Sequence, residues 1–240
     1  HPLNRLKRTA LRKAAEELSL DLNHLSNRTE VLHSIGDWTS LPYLKKKTTY
    51  TFFTAELSSL NLESNEIEVG SCPDHPELSE RRWASGHEMY EMWCRGEVTL
   101  APPILAICRA LAQSIPLREA IRHSLELQSI HQVQLWLQLI AIKSPTLPPA
   151  THTNAYLLGE HSMYLIDPGS RSIDSLQPLL QQIDHRLAIG HRFQGVILTH
   201  HHHDHVNGLS HILERYQASE LTVIAHPKTA ALIWGRQIPN

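Results

Sequence analysis

The sequence is short of cysteine, of net charge and of long apolar runs, and each shortage excludes a class of protein. Three cysteines in 240 residues are an odd number, and none has close metal-type spacing. They predict free thiols in a reducing compartment rather than a disulfide scaffold. A formal net charge of −2 gives no chain-wide electrostatic reason to bind nucleic acid or an anionic membrane. We therefore expect a cytoplasmic protein.

A membrane span is excluded as well. The most apolar stretch, Leu135 to Ile142, is short and is interrupted by Gln138, whereas a spanning helix needs about 20 apolar residues. The N-terminus has no signal-peptide pattern. With 41% hydrophobic and 19% charged residues, the composition is that of an ordinary globular protein long enough for two modest domains.

Both ends of the sequence resemble cut ends. The chain starts at His1-Pro2-Leu3 without an initiator methionine, and it stops at Pro239-Asn240 directly after a strand and helix pattern. We therefore expect a piece of a longer protein.

The first half of the sequence carries mainly helical patterns. Apolar residues recur at helical spacing from Thr9 to Leu20, and Pro102-Pro103 opens another helix. Ser85 and Glu88 have the spacing of a capping box, which predicts a helix start. Thr, Tyr and Phe predominate from Thr48 to Leu57, as in a strand.

Short strands follow a helix that is predicted to end near Leu127. The change of pattern places a domain boundary near Ser129, with domains of residues 1–128 and 129–240. The predicted elements of the second domain are strands over 133–142, 155–158, 163–166, 195–198 and 221–225, and helices over 173–187, 209–216 and 229–234. The fold class is therefore α/β.

The unusual feature is a run of four histidines, His200 to His203, followed by Asp204 and His205. Such a run is often a solvated tract. Here a strand of buried type, Val196-Ile197-Leu198, leads into it, and a helix pattern follows. Imidazoles and a carboxylate that leave one tight turn can converge on a borderline cation such as zinc.

Alternation along the run divides its histidines into two sets. If His200 and His202 point inward, His201 and His203 point elsewhere. We assign the second pair no ligand role.

This run resembles the signature of the metallo-β-lactamase superfamily, Thr-His-x-His-x-Asp-His, usually followed by x-Gly-Gly. Here the motif consists of Thr199, His200, His202, Asp204 and His205, and then Val206-Asn207-Gly208. Asn207 replaces the first glycine and tolerates similar backbone angles. The resemblance covers about Val133 to Asn240. It extends to Ala225-His226-Pro227, which is similar to a strand end of glyoxalase II-like members.

The resemblance implies the N-terminal half of a four-layer αββα sandwich with a dinuclear metal site. His200 and His202 would bind one metal, while Asp204 and His205 would help to bind a second. Asp204 would also be catalytic, because it would orient a metal-bound hydroxide for attack on an ester or thioester. Zinc is the expected metal, with two ions in the complete protein and iron or manganese as alternatives.

Two further predictions accompany this ligand set. Asp167 would support the motif loop, and the alternative is a turn-forming aspartate before Pro168. His152 and His226 are interpreted as loop histidines near the rim of the site. In the family, further ligands come from segments well beyond the motif, so we expect them after Asn240 and expect weak metal binding by the 240 residues alone.

The segment Arg12 to Leu20 resembles the second half of a Nudix box, which implies an α/β/α sandwich over residues 1–128. Lys13 and Ser19 replace a glutamate and a glycine of that box. Glu16 and Glu17 alone remain as weak metal candidates, and on sequence alone they also suit a solvated helix face. We expect a degenerate Nudix-like domain without pyrophosphatase activity.

Three functions therefore stay open at the level of sequence. The first is hydrolysis of an ester or thioester in a small-molecule substrate. The second is phosphodiester cleavage of RNA, as in the related endoribonuclease branch. The basic residues of the second half are too sparse to favour it: Lys143, Arg171, Arg186, Arg192, Arg215, Lys228 and Arg236. The third is a non-catalytic nucleotide-binding module in the first half.

Overall fold

A computed structural model describes residues 2–18, 29–40, 46–56, 58–60, 70–71, 79–126, 130–217 and 220–235. The chain divides into two compact units. Unit 1 contains the described residues of His1–Ser40, Thr48–Glu91 and Pro103–Glu126, and unit 2 contains those of Leu41–Lys47, Met92–Pro102 and Leu127–Asn240. Ser129, at the predicted domain boundary, lies outside the described residues, as do Ser19 and Cys72. The division at 128/129 stays a prediction.

The first half of the chain alternates helices with short antiparallel ladders. In chain order its elements are α1 (Pro2–Leu18), a 3-10 turn (Thr29–Val31), β1 (His33–Thr39), β2 (Thr49–Thr54), a 3-10 turn (Ser58–Leu60), β3 (Gly70–Ser71), β4 (Glu80–Arg81), α2 (Gly86–Cys94), α3 (Pro102–Gln113) and α4 (Leu117–Glu126). β1 pairs with β2 and β3 with β4. Leu11, Val31 and Leu32 form a small core beneath α1. The Nudix-like sandwich stays a prediction.

The capping box predicted from Ser85 and Glu88 is confirmed. The Ser85 amide donates to Glu88 Oε2 over 2.7 Å, and the Glu88 amide donates to Ser85 Oγ over 3.1 Å. The backbone hydrogen bond from Ser85 holds the pKa of the Glu88 carboxyl below its ordinary value. The two bonds satisfy amides at the start of α2 that have no partner within the helix.

Two helices differ from the sequence-based expectation. α1 begins at Pro2 rather than Thr9, because proline is well accommodated in a first turn, where no amide hydrogen is needed. In α3, the helical spacing of Ile104, Cys108 and Leu111 predicts one apolar face, but Leu111 is 54% exposed, while Ala110 is 1% exposed. Helical spacing therefore identified the helix but not the rotation of its buried face.

Unit 2 is built on a six-stranded mixed sheet. Its elements are β5 (Ile130–Gln134), β6 (Leu137–Lys143), β7 (His152–Leu158), β8 (Ser162–Ile166), α5 (Ile173–Ala188), β9 (Arg192–Leu198), α6 (His203–Val206), α7 (Leu209–Arg215), β10 (Thr222–Ala225) and α8 (Pro227–Trp234). The strand order is β10-β9-β8-β7-β6-β5. β8, β9 and β10 are parallel, and the other neighbours are antiparallel.

The single strand predicted over 133–142 is a hairpin of β5 and β6. Gln134 pairs with Leu137, so Leu135 and Trp136 alone form the turn. Two-residue hairpin turns usually contain glycine, asparagine or aspartate. Because this turn contains none of them, the sequence shows no break there.

Helices α5 and α7 cover one face of this sheet. Ile140, Leu157, Leu165 and Val196 from four strands are fully buried, and they form one core with Leu176, Leu179 and Ile183 of α5 and Ile212 of α7. One sheet with one helical layer matches the half-sandwich predicted for this part of the chain. No helix within the described ranges combines the length and the apolar character needed to cross a membrane.

The core face of α5 generates a stability prediction. Ile183 is 0% exposed, whereas Ile173, for which the helical spacing of apolar residues predicts the same buried face, is 51% exposed. We expect Ile183→Ala to lower the free energy of unfolding by about 2–5 kcal/mol, since it leaves a cavity. Ile173→Ala should cost less than about 1 kcal/mol. Urea unfolding followed by circular dichroism measures both, and equal losses would contradict the assignment of the buried face.

Candidate metal centre

The histidine run lies at one edge of the sheet, where two neighbouring loops meet. β9 ends at Leu198, and α6 begins at His203, so His200 and His202 lie in the connecting turn. β8 runs parallel to β9 and ends one residue before Asp167, whose amide donates to the Ile197 carbonyl over 3.1 Å. The predicted location at a strand's C-terminal end is therefore confirmed.

Asp167 is the buried centre of this edge. Asp167 is 4% exposed, and its backbone adopts the left-handed conformation with φ of +53°. Its carboxylate accepts three hydrogen bonds: from the Thr199 amide over 2.9 Å, from Thr199 Oγ1 over 2.5 Å and from His205 Nδ1 over 2.9 Å. Asp167 thus adopts a turn conformation and also accepts hydrogen bonds from Thr199 and His205 of the motif.

These bonds determine which ring nitrogens carry protons. A carboxylate only accepts hydrogen bonds, so His205 Nδ1 is the protonated nitrogen of that ring. The single hydroxyl proton of Thr199 goes to Asp167, so the same oxygen accepts from His200 Nδ1, which is 2.9 Å away. In both histidines Nε2 is left with a free lone pair, the form in which histidine binds a metal.

The side chains of the motif converge. The ring centroids of His200 and His205 are 4.0 Å apart, and those of His200 and His202 are 4.7 Å apart. His205 Nε2 lies 3.7 Å from Asp204 Oδ2. Burial, with the nearby His205 and His202, lowers the pKa of His200, which favours the neutral form that a metal requires.

Asp204 is oriented by a residue that sequence reasoning missed. Burial raises its pKa, but a hydrogen bond from the Thr146 hydroxyl and the nearby imidazoles of His205 and His202 hold the pKa below its ordinary value. Thr146 lies in the proline-rich connection between β6 and β7, which contains no motif. Its position beside Asp204 depends on how β7 returns across the sheet.

Close backbone contact holds the two loops together. The Gly208 amide donates to the Pro168 carbonyl over 2.6 Å, and a Cβ on Gly208 would lie 2.4 Å from that oxygen. A Cβ on Gly169 would lie 2.3 Å from the Asp204 carbonyl oxygen. Both positions therefore require glycine, for proximity rather than for an unusual backbone angle.

Among the described residues, the group of three potential ligands whose donor atoms all lie within 4.8 Å of one another is Asp167, His200 and His205. Asp167 already accepts three hydrogen bonds, so we regard it as the group that orients the ligands and not as a ligand itself. His202 and Asp204 lie beside this group but are not among its three members: the His202 ring is 4.7 Å from that of His200, and Asp204 Oδ2 is 3.7 Å from His205 Nε2. Imidazole nitrogens and carboxylate oxygens suit zinc or a similar divalent ion.

The remaining predicted residues lie elsewhere. His226 caps α8, since its ring accepts from the Lys228 amide over 3.2 Å, and His152 Nδ1 contacts Thr151 Oγ1 over 2.8 Å. In unit 1, Glu16 forms ion pairs with Arg12 and Lys13, as a solvated helix face does. Glu16 and Glu17 belong to no three-residue ligand group within the described part of the chain.

Comparison with known proteins agrees with this geometry. Residues 148–235 match the family model of the Metallo-beta-lactamase superfamily. A hydroxyacylglutathione hydrolase from Shewanella pealeana is 32% identical over 56 residues, which is 23% of this chain and 18% of the relative's length.

Solved structures with a similar arrangement include the DIM-1 metallo-beta-lactamase exposed to ceftazidime. It is 18% identical, with a TM-score of 0.36, over 43% of this chain and 45% of that chain. A beta-lactamase domain protein from Burkholderia ambifaria is 21% identical, with a TM-score of 0.32, over 40% of this chain and 29% of that chain. The chain thus spans less than half the length of these proteins. The motif from Thr199 to His205 lies within residues 148–235, which match the Metallo-beta-lactamase superfamily model.

Proposed function

We propose that unit 2 belongs to a metal-dependent hydrolase of ester or thioester bonds. The observation that supports this most directly is the group of Asp167, His200 and His205, whose donor atoms all lie within 4.8 Å of one another, with Asp204 Oδ2 3.7 Å from His205 Nε2. The Shewanella pealeana relative is named for hydrolysis of an acylated glutathione, which favours an acyl-transfer substrate.

Each residue has a distinct part in this proposal. His200 and His202 would hold one metal, Asp204 and His205 would help to hold a second, and Asp204 would also orient the attacking water. When bound, the metal would supply Lewis acidity, which lowers the pKa of water by many units. Asp167 would keep His200 and His205 in the tautomer with Nε2 free, and Thr146 would hold the Asp204 carboxylate in its orientation.

The ligand assignment predicts a specific pattern of metal content. In equilibrium dialysis against excess zinc, which loads even a weak site, we expect His202→Ala to lower sharply the zinc bound by the 240-residue chain, because it removes one imidazole of the set. His201→Ala and His203→Ala are the matched controls and should retain wild-type content. Atomic emission spectroscopy measures the metal. If His201→Ala loses as much zinc as His202→Ala, the ligand set has to be reassigned.

Catalysis should depend on Asp204 more than on an ordinary surface carboxylate. Asp204→Ala should lower kcat/KM for a thioester by roughly two or more orders of magnitude in the metal-loaded protein, since binding and orientation are lost together. Asp174→Ala, on the exposed first turn of α5, is the control. A loss of less than tenfold in Asp204→Ala would contradict the catalytic role.

Asp167 generates a prediction that is independent of activity. Asp167→Asn places a donor group where three donors now converge, so it should lower zinc affinity by about 10- to 100-fold. Nitrogen NMR shifts of the metal-free protein should also show loss of the Nδ1-protonated tautomer at His205 and His200. Asp174→Asn should change neither quantity. Unchanged histidine shifts in Asp167→Asn would show that the carboxylate does not select the tautomer.

A further inference from the structure

A pocket of about 700 Å³ adjoins the metal centre within unit 2. His202 and Asp204 form part of its wall, so the pocket and the proposed ligands share one surface. A volume of this size falls in the range of small-molecule sites. The part of a substrate that does not react would therefore be accommodated here.

Part of the pocket lining is apolar: Pro145, Leu147, Val206, Leu232 and Ile233. Leu147 and Leu232 are 83% and 64% exposed, so an apolar ligand would remove their side chains from water with a favourable free energy. These residues fit the hydrocarbon part of an acyl group.

The lining also carries one permanent positive charge, that of Arg171. The backbone of Arg171 is anchored, because His211 Nε2 donates to its carbonyl over 3.0 Å and the neighbouring Ser170 is buried. Arg171 is itself exposed. Its guanidinium group is therefore carried on a fixed point of the pocket wall.

The structure gives Arg171 no role in stability. Two other arginines of unit 2 are engaged: Arg215 pairs with Asp184 over 2.6 Å, and Arg186 donates to the Gly159 carbonyl over 2.9 Å. The guanidinium group of Arg171 makes no ion pair with any acidic side chain in the described ranges. It also directly precedes Ser172, the N-cap of α5, where a cation does not stabilise the helix. The charge is thus available for a ligand.

We propose that this pocket selects acyl substrates whose far end is a carboxylate, with Arg171 as the specificity-determining residue. The proposal rests on the proposed hydrolase function, which it deepens. A guanidinium group matches a carboxylate through two parallel hydrogen bonds, and one monoanion balances one cation. A phosphate dianion would carry one charge more than the single arginine of the lining balances. Half-thioesters of short dicarboxylic acids fit both the apolar residues and the arginine of the pocket.

Binding tests the pocket separately from catalysis. With the metal removed by a chelator, pentanoate should bind about tenfold more tightly than pentanamide, as measured by NMR titration, since the two differ only in charge at the head group. Arg171→Gln should abolish the difference, and Arg171→Lys should retain part of it. Arg192→Gln is the matched control. Arg192 begins β9 and is not among the residues that line the pocket, so this substitution should leave the difference in binding unchanged.

The same measurements contain the results that would overturn the proposal. Equal binding of pentanoate and pentanamide, or equal effects of Arg171→Gln and Arg192→Gln, would do so. Tighter binding of butyl phosphate than of pentanoate would overturn the choice of a carboxylate.

Activity then separates the pocket from the reaction. In the metal-loaded protein, kcat/KM should be higher for a glutaryl thioester than for a pentanoyl thioester. Arg171→Gln should reduce that ratio about tenfold by raising the KM for the glutaryl thioester. If neither thioester is hydrolysed but pentanoate binding depends on Arg171, the pocket stands and the proposed reaction fails. If both are hydrolysed and Arg171→Gln leaves their ratio unchanged, the reaction stands and the pocket proposal fails.

Discussion

The site depends on one buried carboxylate, that of Asp167. A carboxylate removed from water costs several kcal/mol unless its oxygens accept hydrogen bonds, and here all three donors come from the histidine motif. Satisfying this charge therefore fixes the path of the motif loop and the proton positions on His200 and His205. Folding and the preparation of metal ligands are the same event at this edge of the sheet.

The sheet makes that contact geometrically available. Because β8 and β9 are parallel neighbours, their C-terminal ends lie side by side, and the loops that follow them meet. The core between the sheet and α5 holds the two strands in register. Gly169 and Gly208 then allow the loop backbones to approach more closely than any side chain would permit. A rigid scaffold with loops at one edge is a common way to position functional groups.

The histidines of the run lie in two different surroundings, and these do not follow the alternation of His200 and His202 with His201 and His203 in the sequence. His200 and His205 belong to the ligand group with Asp167, while His201, His202 and His203 line the neighbouring pocket. The ring of His202 lines the pocket and also lies against the ring of His200, at a centroid distance of 4.7 Å. The pocket brings together the β6–β7 connection, the motif loop, α8 and the segment before α5, which are far apart in the sequence.

The sequence by itself determined the α/β class of the second half, the capping box at Ser85 and the position of the motif after a buried strand, because each depends on residues a few positions apart. The tertiary structure alone decided the hairpin at Leu135-Trp136, the exposure of Leu111 and Ile173, and the residues that orient or adjoin the ligands. Thr146 and Arg171 belong to no motif, and their proximity to Asp204 and to the pocket arises from strand order. Local patterns record helical and strand periodicity, whereas contacts between distant segments exist only once the chain has packed.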